Sequence, residues 1–110
     1  MDDETLKALV GSIKKWTAIA RGEGVDRGAQ NCPLCRKFRD GFCWGCPVAK
    51  AACAACIGSP YVGWLQHQTT EHHVPYGQLR RSVCPKCREA ALREVWYLCT
   101  LLPGEEVDDA

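Results

Sequence analysis

NCPLCRKFRDGFCWGC, residues 31–46, carries two C-x-x-C pairs, Cys32 with Cys35 and Cys43 with Cys46. Two more follow, Cys53 with Cys56 and Cys84 with Cys87, so eight of the nine cysteines are paired at one spacing. Two residues between thiols let both sulfurs face one ion from a tight turn, and two such pairs complete a tetrahedron. Proline inside CPLC and CPKC suits such a knuckle. The pattern therefore points to zinc, one or two ions, with an iron–sulfur cluster on the same thiolates as the alternative.

The rest of the chain needs that help. A domain of 110 residues buries only about two-thirds of its unfolded surface. There are two Phe and one Met, although Trp16, Trp44, Trp64 and Trp96 add apolar area. Its opening residues, MDDETLKALVGSIKK, are acidic where a signal peptide is basic, and no stretch approaches a membrane span. The expectation is a cytoplasmic chain of a bacterial or archaeal host cell, where thiols stay reduced and paired cysteines mean metal rather than disulfide.

Outward from the knuckles, residues 3–20 read as an amphipathic helix with Leu6, Leu9, Val10, Ile13, Trp16, Thr17 and Ala20 on one face. Asp2 or Asp3 can cap it, and Gly22 stands where a left-handed terminal residue belongs. RGEGVDRGAQN (21–31) reads as a connector, and VAKAACAAC (48–56) as two further helical turns. Ser59-Pro60 is a helix-start signal for a short helix through YVGWLQHQ, which TTEHHVPYG then breaks. From Cys84 to Leu102 the residues Leu92, Val95, Trp96, Cys99 and Leu102 form one stripe, stopped by Pro103-Gly104. The fold class expected is a small metal-stabilised domain, mostly α, with zinc-knuckle or treble-clef-like loops between helices. The single domain spans 1–110: an N-terminal helix to residue 22, a zinc-binding core over 32–87, a C-terminal helix over 84–102 and an acidic tail over 103–110.

Several pairings of the knuckles satisfy the spacing. Sequential use joins Cys32, Cys35, Cys43 and Cys46, then Cys53, Cys56, Cys84 and Cys87. Crossed use joins CPLC to CPKC in a treble clef, leaving Cys43, Cys46 and Cys56 to take Cys53, His67 or His72 as fourth ligand. Closed four-ligand sites are structural, while catalytic ones keep a position open. EHHVP-x8-CPKC has some likeness to HNH nucleases through His73, but the later Asn and His are absent. A deaminase lacks its His-x-Glu and a thioredoxin-like dithiol lacks its βαβ setting. No catalytic residue and no small-molecule substrate is assigned.

Over residues 31–100, nine Lys or Arg face four Asp or Glu, whereas the last ten residues carry four acids. Arg36, Lys37 and Arg39 flank the first knuckle, and Arg80, Arg81, Lys86 and Arg88 the last. With Phe38, Trp44 and Tyr76 between them, they make a candidate nucleic-acid surface. Zinc–thiolate centres are anionic, however, and two would cancel four of the five surplus charges. The two-Cys-two-His finger pattern is not matched, so no base-reading helix is assigned. A protein partner is the first expectation, nucleic acid the second, and a membrane is excluded.

The strings IKKWTAIARGEGVDRGAQNCPLCRKF (13–38), CWGCPVAK (43–50), CIGSPYVGW (56–64) and CPKCREAA (84–91) running into VWYLCTLLP (95–103) carry a further signal. In them the chain resembles a family of small cysteine-rich zinc-binding proteins of tailed phages, prophages and some archaea. The resemblance implies a metal-binding, mostly helical protein of unassigned activity. The role expected for the chain is a macromolecular interaction module, a phage-encoded modulator of a host protein machine. Where that pattern has Thr-Gly before a single cysteine, this chain has AACAAC, which makes Cys53 the least secure ligand. The departure favours Cys43, Cys46 and Cys56 with one histidine, or Cys56, Cys84 and Cys87 with one histidine.

Overall fold

Asp2 opens the first helix, its carboxylate accepting the Thr5 N–H at 2.7 Å, with Asp3 and Glu4 complementing the helix dipole. This α1 runs Asp3–Ala20, the span read from periodicity. Gly22 ends it at φ +79°, a left-handed conformation that a Cβ would penalise. The computed structural model describes residues 2–38, 46–47, 59–75 and 78–103. A 3-10 turn, Gly28–Asn31, leads into α2, Pro33–Phe38, after which come α3, Tyr61–His72, and α4, Pro85–Thr100. The VAKAACAAC helix, the tail beyond Pro103, and Cys43, Cys53, Cys56, Arg39, Trp44 and Tyr76 lie outside the described residues.

α1 packs chiefly on α4 and also on α2, while α3 packs on α4. Between them lie Leu9, Trp16, Ile19, Leu34, Cys46, Trp64, Cys87, Ala91, Val95 and Leu98. Trp16 meets Trp64 edge to face at 5.2 Å and Tyr61 at 5.6 Å. Gly11 lets α2 close in, since a Cβ there would stand 3.0 Å from the Pro33 ring. The domain is mostly helical, with one isolated antiparallel bridge, Asp26 to Arg80, among the described residues.

The connector reading of 21–31 misses a side chain that accepts five hydrogen bonds. Asp26 is fully buried, its Oδ1 accepting from Lys15 Nζ at 2.9 Å and the Gly28 N–H at 2.8 Å. Its Oδ2 accepts from Arg80 Nε at 2.9 Å, Trp64 Nε1 at 3.0 Å and the Tyr61 hydroxyl at 3.1 Å. One carboxylate thus ties α1, α3 and the strand-like segment before α4. Desolvation opposes its charge, but the Lys15 ammonium and its hydrogen bonds outweigh that and hold its pKa below the ordinary value.

Three expectations change. α3 does not break at Thr69 but continues to His72, with His73 as a left-handed cap at φ 55°. α4 exists but faces the core through Cys87, Ala91, Glu94, Val95 and Leu98. Leu92, Trp96, Cys99 and Leu102 of the expected stripe are instead exposed, and small Cys87 and Ala91 are fully buried on the inward face. The buried face of α1 is likewise Thr5, Leu9, Ser12, Trp16 and Ile19, turned slightly from the stripe.

Candidate metal centre

CPKC opens α4: Pro85 takes the first helical position and Cys84 caps the helix, its Sγ accepting the Cys87 N–H at 3.4 Å. This places both sulfurs on one side of the turn, 3.5 Å apart. The extra turn of α3 brings two imidazoles to the same point. His67 Nε2 stands 3.2 Å from Cys84 Sγ, His72 Nε2 is 3.4 Å from that sulfur, and the two nitrogens are 3.2 Å apart. All four donor atoms lie within 4.8 Å of one another.

Those spacings fit one ion. Zinc bonds of about 2.3 Å to sulfur and 2.0–2.1 Å to nitrogen give tetrahedral edges of about 3.8 Å (S···S), 3.6 Å (S···N) and 3.3 Å (N···N). The S···S, N···N and Cys84-to-imidazole separations fall about 0.1–0.4 Å inside their edges, and the two from Cys87 to the imidazoles lie within 4.8 Å. His67, His72, Cys84 and Cys87 are therefore close enough to bind a metal ion, and zinc fits.

The surroundings suit thiolates. Hydrogen bonding from His67 brings the Cys84 thiol down to about 6, so it is ionised at neutral pH. Cys87 is fully buried, and burial pushes its thiol up. Gln68, 1 % exposed, donates from Nε2 to Cys87 Sγ at 3.2 Å and to the Arg81 carbonyl at 2.9 Å. That is the kind of outer hydrogen bond that fixes a ligand's orientation. Ser82 Oγ donates to the Ile19 carbonyl at 2.6 Å and fastens the segment before the knuckle to α1.

The histidines were expected as alternatives for one fourth position; both converge here instead. The crossed set does not form among the described residues, since Cys32 and Cys35 are not in this cluster. They make a separate knuckle at the start of α2, where Cys32 Sγ accepts the Cys35 N–H at 3.4 Å. Side-chain hydrogen bonding to Cys35, which holds the thiol proton, and burial raise the Cys32 thiol well above its ordinary value. Cys46 is buried in the core. Cys99, expected as a buried hydrophobe, is exposed, as is His73.

Of the basic candidates, Arg80 is 6 % exposed and spent on Asp26, so it leaves the surface set. Lys37 pairs with Glu4 at 3.1 Å. Arg36, Arg81, Lys86 and Arg88 are exposed. Sequence reasoning also passed over Glu94, which is 4 % exposed with an Oε1 that has no hydrogen-bond partner among the described residues. Burial pushes its carboxyl up to about 7.

No helix among the described residues is long and apolar enough to cross a membrane. Comparison with protein families, curated proteins and solved structures finds no match to this chain.

Proposed function

We propose that the chain is a structural zinc protein whose His67–His72–Cys84–Cys87 centre fixes α3 against α4 and so shapes a macromolecular interaction module. The observation that carries the reading is that four donor atoms, two imidazole nitrogens and two sulfurs, lie within 4.8 Å of one another. Four protein ligands leave no position for a reacting water, which favours a structural role over a catalytic one. The same compactness argues for one ion rather than a two-iron cluster, whose cysteine and histidine pairs bind different irons.

The surface offered to a partner is the outer face of α4, where Leu92 and Trp96 stand one turn apart, 40 % and 64 % exposed. Beside it, a cleft of about 250 Å³ between α3 and α4 is edged by His67, Lys86, Glu89 and Arg93. A protein partner fits this mixture of apolar and paired charged groups better than nucleic acid does, because Arg80 and Lys37 are already engaged.

Zinc content of the reduced protein tests the centre. Wild type retains zinc through dialysis, and His67→Ala or Cys84→Ser loses one equivalent, whereas His73→Ala does not. Full retention by Cys84→Ser would remove the reading. A mobility-shift titration with single- and double-stranded DNA and RNA at two salt concentrations tests the partner class. A shift that weakens steeply with salt would move the reading to nucleic acid.

A further inference from the structure

The second proline knuckle repeats the first. In CPLC as in CPKC, the second cysteine donates its N–H to the first sulfur at 3.4 Å, and proline heads a helix. The following arginine closes each turn, Arg36 N–H to the Cys32 carbonyl at 2.9 Å and Arg88 N–H to the Cys84 carbonyl at 3.2 Å. Each thiol pair is thus presented from the same backbone shape.

A cavity of about 60 Å³ lies against the CPLC knuckle, lined by Lys15, Trp16, Cys32, Cys35, Tyr61 and Glu94 among others. Lys15 and Tyr61 already bond to Asp26. Glu94 is different: it is 4 % exposed, and its buried Oε1 has no hydrogen-bond partner among the described residues. Native interiors rarely leave a carboxylate oxygen so, and an unmet one marks a site for something not yet bound. Two thiols and a carboxylate around one space are a donor set for a divalent ion of borderline softness. They are less suited to a hard alkaline-earth cation, which prefers all-oxygen shells.

We propose that Cys32, Cys35 and Glu94 are three ligands of a second divalent-metal site, zinc by chemistry, which shares no ligand with the His67–Cys87 centre. Unlike that centre, these donors are not already drawn together, so binding closes the cavity between them. The ion displaces the two thiol protons and any proton on Glu94. Its double charge answers three anionic donors in a cavity whose lining holds one other cation, Lys15. The site also gives the buried carboxylate in an otherwise apolar α4 face a reason to be there.

Cobalt and zinc titration of the full chain under reducing conditions tests this, with Glu94→Gln, Cys32→Ser and Cys84→Ser alongside wild type. Wild type should take up two equivalents. Glu94→Gln, which keeps the side-chain shape, should bind the second at least tenfold more weakly with an altered cobalt absorption band. Its first equivalent should be unchanged, which also certifies the fold. Cys84→Ser should lose the first equivalent and keep the second, so failure of either centre is told from failure of the other. The proposal falls if Glu94→Gln binds both equivalents with wild-type affinity and spectrum, since thiolates alone would then hold the ion. It falls equally if wild type binds one equivalent that Cys84→Ser abolishes.

Discussion

Replacing Asp26 by asparagine removes one negative charge and leaves the volume almost unchanged, so its effect isolates electrostatics from packing. The Lys15 and Arg80 side chains are 8 % and 7 % exposed, and both lose their counter-ion. The new amide NH₂ must also face donors, since all five partners of Asp26 donate to it. Removing one partner from a buried ion pair costs about 3–5 kcal/mol. At roughly 4 °C per kcal/mol for a domain of this size, the melting temperature should fall by about 12–20 °C. The assay is thermal unfolding followed by circular dichroism in saturating zinc at pH 7, so that metal loss does not contribute. Glu89→Gln, breaking the exposed Arg93–Glu89 pair at 3.2 Å, serves as the control and should cost no more than about 1 kcal/mol. A loss below about 1 kcal/mol for Asp26→Asn would refute the idea that this carboxylate ties the fold together. The sign with pH follows from its depressed pKa. The stabilisation is complete above the ordinary carboxylate value near 4 and is lost as pH falls through the lower folded value.

Chelation of zinc should unfold the protein cooperatively, because a structural ion contributes about 10–16 kcal/mol in small finger peptides, as much as a whole domain's stability; helical dichroism retained after complete metal removal would contradict this. Acid should release the ion as protons compete for its ligands. With the Cys84 thiol brought down to about 6, binding should be full at pH 7 and weaken below about pH 6, read by a zinc-sensitive dye. Trp64→Ala should cost about 3–5 kcal/mol because Trp64 is wholly buried. Trp96→Ala, at a 64 % exposed position, should change stability by no more than about 0.5 kcal/mol in chemical denaturation. The reverse order would restore the Leu92–Trp96 stripe as the core face of α4.

The first helix was legible to the residue because its cap, its periodicity and its terminal glycine all agree. α4 was legible as a helix but not in rotation. Ranking positions by apolarity selects Leu92 and Trp96, whereas close packing selects Cys87, Ala91 and Leu98, with Glu94 carried inward between them. The metal centre was half legible. CPKC announced two ligands, and the histidines were weighed singly because the helix was taken to end before the second. Read as a unit, HQTTEH is H-x4-H, within the spacing of a histidine pair in a Cys₂His₂ site. It precedes its cysteines here, and that reversed order hid it. Asp26 gave no local signal, since its partners Lys15, Tyr61, Trp64 and Arg80 are distant in sequence and meet only on folding.

The four ligands of the centre come from one short segment, residues 67–87, with only an eleven-residue span from His72 to Cys84 to close. Loop closure over so short a span is entropically cheap compared with bringing in the distant first helix. Metal capture can thus precede α1 docking, making the α3–α4 hairpin a seed on which the remainder of the chain condenses. The rate of acquiring native structure would then track free zinc concentration.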